Sequence, residues 1–376
     1  MVVSTEDRPA SAEEVAALLA EGAGVRPSGG ATKLDWGGPG VEPARALSTA
    51  RLDELVEHNE GDLTAVLQAG VTLARAREVF AAKGQRLCLD PPDGDARATI
   101  GGIVACADSG PVRHRYGAVR DLILGVRVAL ADGTVARAGS KVIKNVAGYD
   151  LAKLMCGALG TLGVVCEVTV RLNPVAESSV TAVGRGEEAG RLAAAGREIA
   201  RRPLELEGLD VLWEGAQAGG AVLARAVGRT AQEAAQTAAL LMGRAGLQTE
   251  LVAEDEPLWQ RQRAGQRTDG EGAMVRVAAS PADLGHVLAA APGRAVARAG
   301  LGLAWLHIDA DPQVLAALRE RLAPAWCVLE QAPLAMRAAV DPWGVPSGPE
   351  LELARRVKLR FDPHGVCNPG RFVGGL

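Results

Sequence analysis

Apolar positions in the first ninety residues follow two spacings, one helical and one alternating. Ser11 and Glu14 have the spacing of a capping box, and Val15, Leu18 and Leu19 follow at helical intervals, which predicts a helix. Further elements are predicted in this order: a strand reaching Val25, a helix marked by Leu52, Leu55 and Val56, a strand over 64–71, a helix from Thr72 to Gly84, and a short strand over 87–89. This succession of strands and helices predicts a small parallel sheet with helices packed on it.

Between residues 90 and 175 the alternating pattern dominates. Strands are predicted over 122–130 and 164–172, with a return strand at Val135 after the Asp132-Gly133 turn and a short helix after Tyr149 that ends at Gly157. A two-residue Asp-Gly turn between alternating segments is typical of a β-hairpin. This part of the chain is therefore predicted to be α+β and mainly antiparallel.

Residues 176–335 divide into two similar halves of strands and helices. Strands are expected near Val180, Val211, Val222, Leu251, Val275, Trp305 and Val328, and helices over 187–201 and 231–241 and from Pro281 and Asp311. The pattern predicts an antiparallel sheet with helices on one face.

The last forty residues predict one helix followed by an ordered hook. The helix opens at 347–349 and carries Leu353, Val357 and Phe361 on one face. Asp362-Pro363 stops it, and a second proline–glycine turn follows.

Three glycine-rich segments lie at residues 26–32, 99–110 and 157–164. Glycine allows a backbone to approach a ligand closely because it has no Cβ. Successive N–H groups of the first segment can converge on a phosphate, and an ordinary glycine-rich loop explains that segment equally well. Gly101-Gly102 runs into a helix start, where free N–H groups favour an anion such as a pyrophosphate.

Two common nucleotide-binding motifs are excluded. The sequence that starts with Gly22 and Gly24 has Pro27 where G-x-G-x-x-G needs its third glycine. The Gly-Lys-Ser/Thr signature of a P-loop does not occur at Lys33. The three glycine segments therefore suggest a flavin dinucleotide that is held without a Rossmann fold.

Composition excludes several classes of partner. The chain has 376 residues, is 48% apolar and carries a formal net charge of −4, with basic and acidic residues interleaved. Without a basic stripe we expect no nucleic-acid partner. The first residues lack the basic and apolar segments of a signal peptide, and no apolar run approaches the ~18 residues of a membrane span. We therefore expect a cytoplasmic location.

Cysteine spacing argues against a metal cluster in this chain. The six cysteines are scattered, and no two have C-x-x-C spacing: Cys88, Cys106, Cys156, Cys166, Cys327 and Cys367. Zinc and iron–sulfur sites usually show such pairs. We expect buried, reduced thiols and no metal.

Several short motifs occur in a fixed order along the chain. They are the turn at Arg26, Thr99-Ile100-Gly101-Gly102, Tyr116-Gly117 with Asp121, Asp132-Gly133, and the run from Gly148-Tyr149-Asp150-Leu151 to Gly160-Thr161-Leu162-Gly163. Together they resemble the FAD-linked oxidases of the vanillyl-alcohol oxidase and p-cresol methylhydroxylase (PCMH) type. The resemblance covers about the first 175 residues and resumes at the C-terminus.

The resemblance implies an α+β fold with a two-lobed PCMH-type FAD-binding domain and an antiparallel-sheet α+β cap. The FAD-binding domain would span residues 1–175, in lobes of about 1–90 and 91–175. The cap and substrate domain would span 176–335, and residues 336–376 would return to the FAD-binding domain.

The resemblance also implies FAD as cofactor, with its pyrophosphate at the first glycine turn. The candidate FAD-binding residues are Arg26, Pro27, Ser28, Gly29, Gly30, Ala31, Thr32, Pro91, Thr99, Gly101, Gly102, Cys106, Ser109, Gly160, Gly163, Val164 and Asn368. Some relatives attach the flavin covalently through a histidine, and Ala31 stands at that position here. The FAD is therefore expected to be non-covalent.

Arginine and histidine residues of the cap are candidates for substrate chemistry. Arg276, Arg337 and Arg263 could hold a carboxylate bidentately, although an arginine of such an arginine-rich protein is more often a surface residue. His307 could act as the base for an α-hydroxy acid, or could be structural. Related 2-hydroxy-acid dehydrogenases carry a metal-binding segment whose glycines, asparagine and second histidine are missing after His307, which puts independent catalysis in question.

The C-terminal hook and the short chain resemble the family of FAD-binding subunits E of bacterial glycolate oxidases. This resemblance implies a complex with a larger FAD subunit and an iron–sulfur subunit, held at the inner face of the cell membrane through these partners. The complex would oxidise glycolate or a similar 2-hydroxy acid. The alternatives are a stand-alone FAD-dependent dehydrogenase of another small hydroxy acid and a non-catalytic scaffold subunit.

Overall fold

The computed structural model describes residues 6–42, 45–92, 96–140, 150–268, 270–344 and 348–376. Gly148, Tyr149 and Ser347, which the sequence analysis used, lie outside the described residues. The described chain forms a three-stranded sheet, a five-stranded sheet, an eight-stranded sheet and a two-stranded ribbon.

The N-terminal segment forms a parallel three-stranded sheet, in which the strand at Val25 is the one that the pattern predicted. The predicted strand over 64–71 lies instead in the antiparallel sheet described next. The elements of the N-terminal segment are β1 (Glu6–Asp7), α1 (Ala12–Ala20), β2 (Val25–Ser28) and β3 (Arg45–Ser48). The strand order is β1-β3-β2, and both pairings are parallel. The Ser11 hydroxyl accepts a hydrogen bond from the Glu14 amide and so caps α1, which confirms the predicted start of this helix.

The next segment builds an antiparallel sheet with the strand order β4-β5-β9-β7-β8. Its elements are β4 (Leu55–Asn59), β5 (Thr64–Gln68), α2 (Leu73–Ala81), β6 (Gln85–Arg86), α3 (Ile100–Cys106), α4 (Arg113–Tyr116), α5 (Val119–Leu122), β7 (Ile123–Ala129), β8 (Val135–Gly139), α6 (Leu151–Met155), β9 (Val164–Arg171) and β10 (Asn173–Pro174). The predicted hairpin β7–β8, the strand β9 and the antiparallel arrangement are confirmed.

The helix predicted from Leu52, Leu55 and Val56 is wrong. Residues 55–59 form β4, which pairs with β5, while Leu52 is buried in the preceding loop. Three apolar residues at helical spacing fit both structures, and the long-range pairing with β5 decides between them. The strand predicted over 87–89 is also shifted. It lies at Gln85–Arg86, where β6 pairs with β10.

Residues 179–331 form the eight-stranded sheet, with the order β14-β11-β13-β12-β16-β17-β15-β18 and antiparallel pairings. Its elements are β11 (Ser179–Gly186), α7 (Ala189–Ala200), β12 (Leu206–Trp213), β13 (Gly220–Val227), α8 (Ala231–Arg244), β14 (Gln248–Val252), α9 (Glu256–Ala264), β15 (Gly272–Ala278), α10 (Leu284–Ala290), β16 (Ala295–Arg298), β17 (Leu303–Asp309), α11 (Pro312–Leu322) and β18 (Trp326–Gln331). The two predicted halves correspond to β11–β14 and β15–β18, which meet where β12 pairs with β16. The sequence analysis missed β16 and α9.

The two faces of this sheet differ in what covers them. Helices α7, α8, α10 and α11 share one large apolar core with one face. Helix α9 instead packs on the opposite face, where Trp259 is buried with Leu212, Val296 and Trp305. The prediction that the helices lie on one face is therefore wrong for α9, which connects the two halves.

The C-terminal residues form α12 (Leu334–Ala339), α13 (Pro349–Phe361) and a final 3₁₀ turn at Val373–Gly375. Val357 and Phe361 pack on the core of the five-stranded sheet, whereas Leu353 is exposed and Leu351 is buried. The predicted apolar face of α13 is therefore shifted around the helix.

The hook after α13 is fixed by a buried ion pair. The Lys358 ammonium donates to the Asp362 carboxylate at 2.6 Å and to the carbonyl oxygens of Thr161 at 2.6 Å and Cys367 at 3.0 Å. The Asp362 carboxylate also accepts hydrogen bonds from the amides of Val366 and Cys367. This pair ties the C-terminus to the third glycine segment and confirms an ordered hook.

We expect Lys358→Met to lower the free energy of unfolding by about 3–5 kcal/mol, because it leaves the buried Asp362 charge without its partner. The double variant Lys358→Met with Asp362→Asn should recover part of this loss, since no uncompensated charge remains. Urea denaturation of the three proteins tests this, and equal stability of wild type and the single variant would show that the pair does not hold the hook.

Candidate cofactor and substrate site

The first two glycine segments are pressed directly against each other. A Cβ placed on Gly29 would lie 2.0 Å from Thr99 Oγ1, and one on Gly30 would lie 1.8 Å from the Arg97 carbonyl oxygen. Neither distance can be accommodated by a real side chain. These glycines are therefore required by contacts within the protein, in addition to any contact with a ligand.

The second segment begins a helix, and its glycines lie in the first helical turn. Thr99 is the N-cap of α3, and its hydroxyl accepts a hydrogen bond from the Gly102 amide at 3.3 Å. A Cβ on Gly101 would lie 2.6 Å from the Ala69 methyl group. Gly101 is therefore required because the helix packs closely on the residue that follows β5. Gly102 lies against the hydroxyl of the N-cap residue Thr99.

The third segment and the C-terminal hook complete the arrangement. Gly160 has φ +72°, and a Cβ there would lie 3.0 Å from the Pro27 ring. The Asn368 side-chain amide donates to the Leu159 carbonyl at 2.6 Å, and its backbone amide donates to Val25. The segments at residues 26–32, 99–110 and 157–164 and the C-terminal hook at Asn368 therefore meet at one place.

An open cavity lies where these segments meet. All the predicted FAD-binding residues line it except Arg26, Pro91 and Ser109. We call it the glycine cavity. Residues of its lining that the sequence analysis missed are Lys33, Leu34, Thr49, Ala69, Ala105, Met155, Ala158, Leu159, Val165 and Arg371. Most of these lie within a glycine segment or within two residues of one, which is the signal that could have found them.

Two buried cations line the glycine cavity. The Lys33 ammonium lies 3.2 Å from the Asp108 carboxylate. Arg371 donates to the carbonyl oxygens of Gly38 and Leu34, and no carboxylate of the described residues lies within ion-pair distance of it. Burial lowers the pKa of Arg371 to about 10, and the positive charge of Arg337 contributes to this shift. An anionic ligand in the cavity would offset this uncompensated charge.

A second cavity adjoins the first and shares Cys106 and Leu159 with it. It lies between α3 and the face of the eight-stranded sheet that carries Trp305, and we call it the arginine cavity. Its lining residues are Trp36, Gly37, Cys106, Ala107, Asp108, Ser109, Arg113, Gly157, Leu159, Arg276, Trp305, Val328, Glu330 and Trp343. The predicted FAD-binding residue Ser109 lies here rather than in the glycine cavity.

Arg276 is held in the arginine cavity by a buried carboxylate. Its Nε donates to Glu330 at 2.9 Å, and the other oxygen of Glu330 accepts a hydrogen bond from the Trp305 indole at 2.7 Å. Burial raises the pKa of Glu330, and the neighbouring Arg276 opposes this shift. Among the predicted substrate arginines, Arg276 is the one that lines this cavity.

The structure places the other predicted catalytic candidates elsewhere. Arg337 is buried, and it donates to the carbonyl oxygens of Ala332 and Gly38, so it fixes α12. Arg263 forms an ion pair with Glu256 within α9. The His307 imidazole lies 2.9 Å from the Gly265 carbonyl, in a separate cleft. The predicted roles of these three side chains in substrate chemistry are therefore not supported by their positions.

A buried polar network joins the sheet face to the loop after α3. Arg298 donates to Asp210 at 2.6 Å and to the Gln266 side chain at 2.6 Å, and its guanidinium lies over the Trp305 ring. Gln266 in turn donates to the Ser109 carbonyl at 3.3 Å. Burial raises the pKa of Asp210 to about 6, against the opposing charge of Arg298. The network fixes the position of Ser109 against the sheet.

Asp90 lies behind the same loop. Its carboxylate is buried and accepts a hydrogen bond from the Val112 amide. Burial raises the pKa of Asp90 to about 7, although the charges of Arg298 and Arg263 act in the other direction. The carboxylate thus supports the loop that leads into α4.

Two features of the described residues concern metals and membranes. No group of three His, Cys, Asp or Glu side chains there is placed to hold a metal ion. No helix in that part of the chain has both the length and the apolar character that crossing a bilayer requires.

Comparison with known proteins identifies the N-terminal part. Residues 3–139 match the family described as FAD binding domain. The glycolate oxidase subunit GlcE of Escherichia coli K12 is 38% identical over 127 residues, which cover 34% of this chain and 36% of that protein. The glycolate oxidase subunit GlcD of Bacillus subtilis is 36% identical over 159 residues, covering 42% and 33%. A D-lactate dehydrogenase of Archaeoglobus fulgidus is 36% identical over 171 residues, covering 44% and 38%.

Each of these matches spans little more than a third of the relative's length. Solved structures match over most of this chain. An alkyldihydroxyacetonephosphate synthase aligns with a TM-score of 0.69 and 14% identity, covering 97% of this chain and 76% of that one. A structure titled FgChi7B aligns with a TM-score of 0.69, covering 96% and 89%. At this identity the similarity concerns the fold.

The chain therefore contains an FAD-binding domain of the PCMH type, and the predicted fold class and cofactor are confirmed. The glycine cavity fits this cofactor by its own chemistry. Its walls are glycine backbone, apolar side chains and an uncompensated buried arginine, which suit a flat ring and an anionic pyrophosphate.

We expect Gly30→Ala to lower the free energy of unfolding by about 2 kcal/mol or more and to weaken FAD binding, because the new Cβ would collide with the Arg97 backbone. Gly243→Ala is the matched control. It lies in α8 with open space around its Cβ position, so it should stabilise the protein by about 0.5–1 kcal/mol. Urea denaturation and FAD titration of both variants check this, and an unaffected Gly30→Ala variant would contradict the packing argument.

Asp90 predicts a pH dependence of stability. Its pKa is about 7 in the folded protein and about 3.9 in an unfolded chain. The folded state therefore binds the proton more tightly, and stability is lost as the pH rises from about 4 towards 7. Asp90→Asn should match wild type near pH 4 and exceed it in free energy of unfolding near pH 8. If the free energies of unfolding of the two proteins changed equally with pH across this range, folding would not raise the pKa of Asp90.

Proposed function

We propose that this chain is an FAD-binding subunit of a 2-hydroxy-acid oxidoreductase of the glycolate oxidase type. It would oxidise glycolate or a similar 2-hydroxy acid to the 2-oxo acid, with the electrons passing to an iron–sulfur partner. One observation carries the proposal: the arginine cavity opens directly beside the glycine cavity, and the two share Cys106 and Leu159.

Residues around the glycine cavity would hold the cofactor. The first glycine turn and the start of α3 would hold the pyrophosphate through backbone N–H groups. Residues 159–164 and Asn368 would bound the flavin from the other side. FAD, when bound, supplies the two-electron acceptor that oxidation of an α-hydroxy acid requires.

The subunit character is supported by relatives. GlcE and GlcD are both named as subunits of glycolate oxidase. Neither comparison extends over most of the relative, so the assembly belongs to the proposal. Association with the cell membrane would then occur through the partners.

A second candidate function is a stand-alone FAD-dependent dehydrogenase of a small hydroxy acid. The arginine cavity favours it, because Arg276 and Glu330 give this chain its own polar pocket beside the cofactor. The D-lactate dehydrogenase similarity points to the same substrate class. The same pocket argues against a purely scaffolding role.

We expect the purified chain, loaded with FAD, to release its flavin into the supernatant on acid precipitation, because Ala31 offers no attachment point. Anaerobic addition of glycolate or D-lactate should then bleach the visible flavin band of the folded protein. If the band bleaches only when co-purifying subunits are present, electron relay rather than oxidation by this chain is indicated.

Succinate, which has no hydroxyl group to oxidise, is the matched control and should leave the band unchanged. Failure to take up FAD, or a bound flavin that no small hydroxy acid reduces with or without partners, would contradict the proposed function.

A further inference from the structure

We propose that Arg113 and Arg276 form a two-arginine site that binds the carboxylate of the substrate. Arg113 belongs to the N-terminal FAD-binding part, and Arg276 belongs to the eight-stranded sheet. The site is thus built from both parts of the chain. The ligand class, a small 2-hydroxy carboxylate, rests on the proposed function.

Arg113 forms no ion pair with any of the described residues. It lines the arginine cavity from the start of α4, and its closest polar contact is the Ser109 hydroxyl at 3.5 Å. No carboxylate of the described residues lies within ion-pair distance of its guanidinium. Burial and the positive charges of Arg298 and Arg276 lower the pKa of Arg113. A bound anion would offset this unfavourable charge.

Arg276 is positioned with its terminal nitrogens available. One Glu330 oxygen accepts a hydrogen bond from Nε–H of Arg276, and the other accepts one from the Trp305 indole. The two Nη groups of a guanidinium held in this way remain for a ligand, and their fork suits a carboxylate. Glu330 is therefore a positioning residue for Arg276.

The charged groups around the cavity favour an anion. The other carboxylate in its lining, Asp108, is already engaged by Lys33 at 3.2 Å and by Arg267 at 2.9 Å. Glu330 compensates Arg276, so these groups keep an excess of positive charge that includes the charge of Arg113. A carboxylate placed between the two arginines would offset part of this excess.

The walls of the cavity are consistent with this ligand. Three indole rings, those of Trp36, Trp305 and Trp343, contribute apolar surface around the cationic groups. Removal of water strengthens charge-assisted hydrogen bonds. The carboxylate would then be fixed at the arginines, and the α-carbon would be directed towards the side that opens on the glycine cavity at Cys106 and Leu159.

The test uses oxalate, a substrate-like anion that cannot be oxidised at an α-hydroxyl group. The FAD-loaded chain is titrated with oxalate, and binding is followed by calorimetry and by the visible spectrum of the flavin. Arg113→Met and Arg276→Met should each raise the oxalate dissociation constant about 10- to 100-fold, from the loss of a charge-assisted interaction. Arg113→Lys should recover part of the affinity.

Arg115→Met is the matched control. Arg115 lies on the same short helix and pairs with Glu205 at the surface, and it does not line the arginine cavity. Oxalate should bind to this variant with wild-type affinity. FAD content and thermal midpoint, measured for every variant, report whether the fold and the cofactor site are intact, and Arg113→Gln replaces Arg113→Met if the latter does not fold.

Where hydroxy-acid oxidation is measurable, the arginine variants should raise KM more than they lower kcat. Unchanged oxalate affinity in both arginine variants, with FAD retained, would overturn the proposal, as would a wild-type protein that does not bind oxalate. Weakened FAD binding with normal oxalate binding in Arg113→Met would assign Arg113 to the cofactor instead. Oxalate binding to a protein whose flavin no hydroxy acid reduces would support the anion site and refute the proposed function.

Discussion

The close approach of the first glycine turn to the segment before α3 is the constraint on which the site depends. Gly29 and Gly30 lie so near Thr99 and the Arg97 backbone that no side chain fits between them. This contact sets the turn after β2 against the start of α3, and Gly160 then packs on Pro27 from the third segment. The glycine cavity is the space that these three contacts leave.

A buried ion pair and a buried hydrogen-bond network hold the other walls of the two cavities in place. The Lys358–Asp362 pair attaches the C-terminal hook, and with it Asn368 and Arg371, to the third glycine segment. Arg298 and Gln266 attach the sheet face to the Ser109 carbonyl. Each arrangement places charge in a poorly hydrated setting, where losing one partner is costly. The cofactor site and the adjoining arginine cavity therefore form one connected structure.

Local signals in the sequence predicted local structure well. Capping residues, alternating strands and glycine segments have short-range physical causes, and the lining of the glycine cavity was largely identified from them. Leu55 and Val56 were misassigned because helical spacing also fits a strand, and strand pairing is a long-range property. The sequence did not single out Arg113, which the proposed anion site uses, because contacts across the two parts of the chain depend on long-range register. The alternation around Arg276, with Val275 and Val277 facing the opposite core, was a usable signal for the polar face.

A crystal structure of this chain with FAD and oxalate tests the central claim most directly. The account predicts pyrophosphate density against residues 28–31, the flavin ring against residues 101–106 and 159–164, and oxalate between Arg113 and Arg276. FAD bound elsewhere, or oxalate bound away from both arginines, would contradict it.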